Sequence, residues 1–280
     1  MHTFWYSVAE VILLHTPYLT TSRPLTAPPD ITKFVMHTHE TYEIYCFLSG
    51  DADYYVEGTV YPLLPGDILI MKKAEAHSLL IKSPIPYQRV VVHFSPDALL
   101  ADGQARESLQ RFLDDRPLGK QNRYPAALFP NTHWRYYLEQ IHTAADMSLR
   151  RAYLTVLISE MAGAYPGLTD ESGKESDLIT QVIGYINHHL TEEMNLEQIS
   201  KAFFLSKAQM NRRFKKATGS TVWEYVQTKR VFFARELLQK GQTPTNVFAL
   251  SGFRDYGTFY RAYKAAFGVS PGADRLRVAK

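Results

Sequence analysis

Residues 206–219 read Ser-Lys-Ala-Gln-Met-Asn-Arg-Arg-Phe-Lys-Lys-Ala-Thr-Gly, a short basic helix with its start and stop written in. Ser206 suits an N-cap, because its hydroxyl can accept from an otherwise unpaired backbone N–H. Gly219 suits the left-handed C-terminal position that a Cβ would strain. Met210, Phe214 and Ala217 stand at i, i+4 and i+7, the spacing of a buried stripe. The other faces then carry Lys207, Gln209, Asn211, Arg212, Lys215 and Lys216. The same pattern returns 49 positions later in Asp-Tyr-Gly-Thr-Phe-Tyr-Arg-Ala-Tyr-Lys-Ala-Ala-Phe-Gly, residues 255–268. Ser206 aligns with Asp255, Met210 with Phe259, Arg212 with Arg261, Phe214 with Tyr263, Lys215 with Lys264 and Gly219 with Gly268. Two copies are too few for a solenoid. Each follows another helix-sized segment and a short turn, so the reading is a duplicated helix-turn-helix.

Residues 183 to about 276 resemble the DNA-binding domain of the AraC-type transcriptional regulators. The matching residues are Leu196-Glu197-Gln198-Ile199, Ser206, Arg212, Phe214-Lys215, Thr218-Gly219, Tyr225, Arg230, Ala234, Leu237-Leu238, Gly252-Phe253, Phe259, Gly268 and Ser270-Pro271. Phe204 departs from the glycine usual at its place in the family, Phe248 from an alanine, and Pro244 from an aliphatic residue. The resemblance implies a ligand-responsive regulator, usually an activator, working with RNA polymerase on double-stranded promoter DNA as a homodimer. It implies base-reading roles for Lys207, Ala208, Asn211 and Arg212 in the first reader and for Tyr256, Gly257, Tyr260 and Arg261 in the second, with Gln209 an addition. Arg212 and Arg261 can pair bidentately with guanine, and Asn211 with adenine, whereas Lys215 and Lys216 suit phosphate. Ala208 and Gly257 offer only shape or a contact with a thymine methyl group. For every charged residue among these, the plain alternative is a solvated helix face.

Charge agrees with that division. The net charge of +3 is uneven: residues 174–280 carry +8 and residues 1–173 carry −5, so only the C-terminal part is suited to a polyanion. With 45% hydrophobic and 21% charged residues in 280, the chain can build two ordinary cores. Cys46 is the only cysteine. It excludes an intrachain disulfide, and it stands in an apolar run that suits a buried, inert thiol. No apolar run reaches the roughly 18 residues needed to span a bilayer, and the first residues lack a basic start. The expectation is a cytoplasmic protein with no membrane partner.

From Thr32 to about Ser95 the sequence changes to short β-branched and aromatic runs: Lys33–Met36, Tyr42–Leu48, Asp53–Glu57, Tyr61–Leu63, Ile68–Met71, Ser78–Lys82 and Gln88–Phe94. Gly50, Gly58 and Pro65-Gly66 punctuate them, the rhythm of an antiparallel barrel or sandwich. Two helices are expected over about 131–164, a Gly/Ser/charge-rich linker over 166–176, and a strut helix over Val222–Gln239. The fold class is thus α+β in two domains. An effector-binding and dimerisation domain spans 1–165, with its barrel at about 32–95, and an all-α double helix-turn-helix domain spans 177–280. At 1.5 Å per residue, the 18-residue strut is about 27 Å long, against about 34 Å between successive major grooves.

His37-Thr38-His39, Glu43, Gly50, Pro65-Gly66-Asp67 and His77 resemble the two motifs of cupin barrels, with Lys72 and Ala74 replacing the usual proline and glycine. In metal-binding cupins such residues converge on one ion, which makes His37, His39, Glu43 and His77 the candidate ligands of a divalent metal. His37 and His39, at i and i+2 of one strand, would face the same pocket. The competing readings are a metal-free small-molecule pocket and plain hydrogen bonding; the first would need no cofactor. Among Tyr42, Tyr45, Tyr54 and Tyr55, Tyr45 and Tyr55 join the pocket candidates for stacking on a carbohydrate effector. The rival function is a metal-dependent cupin oxygenase or isomerase with an appended DNA-binding domain. The leading reading is a regulator that is not an enzyme.

Overall fold

A computed structural model describes residues 12–15, 19–26, 36–129, 133–167, 178–218 and 220–278. The described residues fall into two compact units, one of residues 12–26 and 39–167 and the other of residues 36–38 and 178–278. Gly219 and most of the expected linker lie outside the described residues.

The first unit is built on strands β1 (Ile12–His15), β2 (Leu19–Ser22), β3 (Leu25–Thr26), β4 (Tyr42–Ser49), β5 (Ala52–Val56), β6 (Thr59–Pro62), β7 (Ile68–Met71), β8 (His77–Ile81), β9 (Tyr87–Phe94) and β10 (Arg123–Tyr124). Seven of them form one sheet in the order β1-β2-β9-β4-β7-β10, with β3 also on β9. The other three form a sheet ordered β6-β5-β8, and every strand pairing among the described residues is antiparallel. Strand alternation sends the large sheet's residues into two different cores. Tyr42, Ile44, Cys46, Ile68, Ile70, Val90, Val92 and Phe94 join a cluster with helices α1 (Gly103–Asp114), α2 (Trp134–Thr143) and α3 (Met147–Ala164) through Leu113, Leu138, Ile141, Leu154 and Ile158. Tyr45, Phe47, Leu69, Met71, Tyr87 and Val91 meet Tyr54, Val56, Tyr61, Leu79 and Ile81 of the small sheet. That is why β4 is buried from Tyr42 to Phe47: it has no solvent face. Cys46 is free and buried, and its surroundings push its thiol up to about 12 by desolvation, consistent with an inert core residue.

The second unit is all helical: α4 (Leu178–His188), α5 (Leu196–Ala202), α6 (Lys207–Thr218), α7 (Val222–Gln239), α8 (Pro244–Leu250), α9 (Tyr256–Phe267) and α10 (Pro271–Val278). Its helix starts follow local capping rules. Asn195 and Gln198 form a reciprocal capping box, as do Thr221 and Glu224, and Thr243 caps α8 with Pro244 in its first turn. Helix α7 is the expected strut and serves both halves. Tyr225 packs edge-on to Phe214 of α6, while Val231, Ala234 and Leu238 share a core with Phe259 and Tyr263 of α9. Arg230, buried mid-helix, donates to the carbonyls of Leu190 (2.8 Å) and Glu192 (2.7 Å). It thereby fixes α7 to the turn after α4. No helix among the described residues is long and apolar enough to cross a membrane.

Candidate functional site

Two sites emerge, one in each unit. In the helical unit α6 and α9 repeat each other in packing. Met210, Phe214, Phe259 and Tyr263 are fully buried, so the exposed residues of both helices are placed by the same internal stripe. At the start of α6 the Ser206 hydroxyl accepts from Gln209 N (3.2 Å), and Gln209 Oε1 accepts from Ser206 N (3.0 Å). At the start of α9 the Asp255 carboxylate accepts from Thr258 N (2.7 Å), which holds its pKa below the usual value. The end of α9 is the left-handed Gly268, φ +72°, whose N–H donates to Lys264 O.

The expected base readers take different positions. Lys207, Ala208, Gln209, Arg212, Lys215 and Lys216 are exposed, as are Tyr256, Gly257, Tyr260 and Arg261. Two of the amide side chains are already engaged. Gln209 closes the cap, and the half-buried Asn211 lends its Oδ1 to Val222 N (3.2 Å), tying α6 to the start of α7. A bidentate contact with adenine uses both ends of the amide, and the oxygen of Asn211 also holds the start of α7. Lys207 Nζ lies 3.7 Å from Glu197, and Arg261 Nη2 donates to Thr258 Oγ1 (3.3 Å). Arg213, absent from the sequence-based set, is exposed on α6 beside Arg212.

In the sheet unit the second site lies between the two sheets. Glu43 Oε2 is 2.8 Å from His39 Nε2, 3.5 Å from His77 Nε2 and 3.7 Å from His93 Nδ1. Tyr54 donates to the other carboxylate oxygen at 3.2 Å. The imidazoles pack edge to face, with ring centres 4.9 Å apart for His39 and His77 and 4.7 Å for His39 and His93. Burial alone would raise the Glu43 carboxyl, but His77, His39 and His93 outweigh it and hold it well below the carboxylate range. His77, although desolvated, is raised above the usual histidine value by the facing Glu43. Burial pushes His93 down to about 4, against the pull of Glu43. Tyr45 sits on the same inner face, against Tyr54 and hydrogen-bonded to Tyr87. Among the described residues, His39, Glu43 and His93 form a group able to hold a metal ion, their donor atoms all within 4.8 Å of one another.

Three points differ from the sequence-based set. His37 is exposed, and residues 36–38 count with the helical unit. Strand β4 begins only at Tyr42, so the same-face argument for His37 and His39 has no strand to act on; His39 reaches Glu43 from the irregular segment before the strand instead. Tyr55 lies one residue out of step with the inward-facing Tyr54, so the pleat turns it to the other face of β5. His93 was missed. It stands directly across from Glu43 in the β4–β9 register, and its sole local signal is parity with the inward Val91 in Val-Val-Val-His-Phe.

An antiparallel sheet domain with an inward polar cluster, followed by two capped basic helix-turn-helix motifs, defines a transcriptional regulator with a sensing and a DNA-binding part. Comparison with known proteins agrees. Residues 23–185 match the AraC-like ligand binding domain and residues 199–277 a helix-turn-helix domain. The first match covers more than half of the 280 residues, and the chain belongs to the AraC family of transcriptional regulators. It is 24% identical over 258 residues to the HTH-type transcriptional activator RhaS of Enterobacter sp. (strain 638), covering 85% of this chain and 86% of RhaS. It is 31% identical over 105 residues to "Probable transcriptional regulator LumQ" of Photobacterium leiognathi, a match spanning 37% of this chain and 42% of LumQ. Among solved structures it is similar to ToxT from Vibrio cholerae O395, at 13% identity and a TM-score of 0.39, over 94% of this chain and 99% of that one.

Proposed function

We propose that the protein is a ligand-responsive, sequence-specific activator of transcription and not an enzyme. Arg212 and Arg261 read guanine edges in two successive major grooves, with Lys207, Tyr256 and Tyr260 beside them and Lys215 and Lys216 on phosphate. The observation that carries this reading is the repeat itself: two helices with matching caps, matching buried stripes and an exposed arginine at the same place, each packed on one rigid strut. Ala208 and Gly257 leave room for close approach to a base. The sheet unit takes a small effector between its sheets, and the effector's preference for one arrangement of the chain alters promoter affinity. Homodimerisation, contact with RNA polymerase and a carbohydrate effector are the family-based parts of the proposal; the similarity to the transcriptional activator RhaS supports activation.

Fluorescence anisotropy on promoter fragments across a salt series tests it. Arg212→Ala is expected to weaken specific binding by about 1–3 kcal/mol and to relax preference at one base pair, while Lys216→Ala weakens all sequences alike and lowers the salt slope by about one. A variant lacking Arg212 that discriminates sequences as well as the parent would overturn the base-reading assignment.

A further inference from the structure

We propose that Arg230 fixes the separation at which one chain reads its two DNA subsites, by bracing the lead-in of the first motif against the turn that leads into the second reader. This rests on the reading of α6 and α9 as a pair of base readers. At 2% exposure Arg230 acts through the readers and not on the duplex, so it is a positioning residue.

The two readers hang from different parts of α7. Helix α6 is held near the start of the strut, where Tyr225 meets Phe214 and Asn211 Oδ1 accepts from Val222 N. Helix α9 is held along the second half, by Val231, Ala234 and Leu238. Those second-half contacts are apolar, and apolar burial attracts without prescribing a direction. Hydrogen bonds from a planar guanidinium do prescribe one. Arg230 lies between the two attachments, with Nε donating to Leu190 O at 2.8 Å and Nη2 to Glu192 O at 2.7 Å. The Trp223 ring, two turns earlier on the same helix, lies 5.7 Å from its central carbon and backs the fork.

The brace has a second end. A Cβ on Gly252 would stand 2.8 Å from the Leu190 carbonyl and 3.0 Å from Arg230 Nε and Cζ. The bare backbone of the second motif's turn therefore lies directly on the guanidinium and on the carbonyl that it holds. Arg254 Nη2, two residues further on, meets Glu193 Oε1 at 2.6 Å across the same seam. The lever arms are short. Glu192 stands three residues before Asn195, the cap of α5, and Gly252 three residues before Asp255, the cap of α9. Sliding the seam thus displaces the exposed start of α9 relative to the whole first motif.

Magnitudes decide what the brace permits. An N–H···O bond is kept over about 2.7–3.2 Å, so the seam has about half an ångström of play. Moving one subsite by a single base pair carries it about 3.4 Å along the duplex and about 35° around it. The brace cannot follow that shift while its bonds hold. One separation of the subsites is accepted, and its neighbours are rejected.

The test uses the full-length protein and duplexes recovered by repeated selection from a randomised pool, trimmed to carry one pair of subsites. Anisotropy titrations follow binding as the DNA between the subsites is lengthened or shortened by one base pair. The parent should prefer one spacing and lose at least about 10-fold on either side of it, because one reader then faces the wrong bases. Two variants relax the brace. Lysine in Arg230→Lys is a point donor without the fork, and methionine in Arg230→Met keeps the stem with no charge to bury, so the spacing penalty should fall to about 3-fold or less in each. Circular dichroism establishes which of them is folded. Only the ratio between spacings is read, since a smaller folded fraction lowers every affinity in proportion and leaves the ratio alone. A parent indifferent to spacing, or a folded Arg230 variant with the parent's ratio, would overturn the brace. Arg212→Ala and Arg261→Ala each disarm one reader and should flatten the spacing profile. If the preference outlives both, the two-reader reading falls; if both lose it while the Arg230 variants keep it, the brace falls and the two-reader reading stands.

Discussion

Helices α6 and α9 are built on one plan and present different faces. Inside, they match: Met210 and Phe214 in one, Phe259 and Tyr263 in the other, all without exposure. Outside, α6 shows Lys207, Arg212, Arg213, Lys215 and Lys216, whereas α9 shows Arg261 and Lys264 with the aromatic rings of Tyr256 and Tyr260. The buried stripe is constrained because both helices pack on α7, and the outer face is not. Duplication therefore preserved the way a reader is held and left open what it reads. The first motif is the better donor of hydrogen bonds and charge, and the second is anchored more firmly. Tyr263 donates to Asp274 of α10 at 2.5 Å, and Arg235 of α7 meets the same carboxylate at 2.8 Å.

The entry turns sharpen the contrast. The second motif turns on Gly252 at φ +76°, with the Leu190 carbonyl 2.8 Å from where a Cβ would stand and Arg230 atoms at 3.0 Å. Gly252→Ala adds left-handed strain and a clash with backbone and a buried guanidinium. The expected loss is about 3 kcal/mol of unfolding free energy, read as a fall in the urea midpoint. A loss below about 1 kcal/mol would mean that the Arg230 anchor yields and that the second motif is looser than it looks.

Next in size are the two arginines. Arg212→Ala should reduce specific affinity more than Arg261→Ala, about 2 against about 1 kcal/mol, because Arg261 already spends a donor on Thr258. Equal losses in parallel anisotropy titrations would remove the asymmetry between the readers.

The smallest effect is a gain. Phe204, in the first motif's entry turn, is left-handed at φ +54° and 96% exposed, a conformation costly for a bulky side chain and free for glycine. Phe204→Gly is expected to stabilise the protein by about 1 kcal/mol in denaturant melts. A neutral result would mean that glycine's extra freedom in the unfolded chain offsets the relief. The same experiment done with promoter DNA asks whether the exposed ring matters to binding; unchanged affinity assigns it no part in reading.

How much of this was legible before the coordinates depended on range along the chain. The caps Asn195, Ser206, Thr243 and Asp255 act on residues three positions away, so their hydrogen bonds can be read locally. The strut came out with the expected ends, Val222 and Gln239, since its stripe has a helical period and its cap a local signature. Helix α1 was not foreseen as an element; its single buried residue, Leu113, gives too weak a stripe to announce it.

The pocket went the other way. Glu43, His77 and His37 were singled out from a motif that depends on spacing, and Tyr55 as an aromatic ring for stacking. Spacing cannot say where a strand begins, and a one-residue error in parity moves a side chain through the sheet. His37 precedes β4, and Tyr54 rather than Tyr55 faces Glu43. His93, fifty residues from Glu43 in the chain, is its neighbour because β9 pairs with β4 in one register and no other.

The amino-acid order alone thus settled the repeat, the caps, the basic character of residues 174–280 and the alternation of short strands, because each is a relation between residues a few positions apart. Only the folded chain decided which histidines surround Glu43, which tyrosine orients it and which amides of the first reader are already occupied. Those relations are made by sheet register and helix packing across long stretches of chain, where the free energy of the whole core, not any local preference, selects the partner.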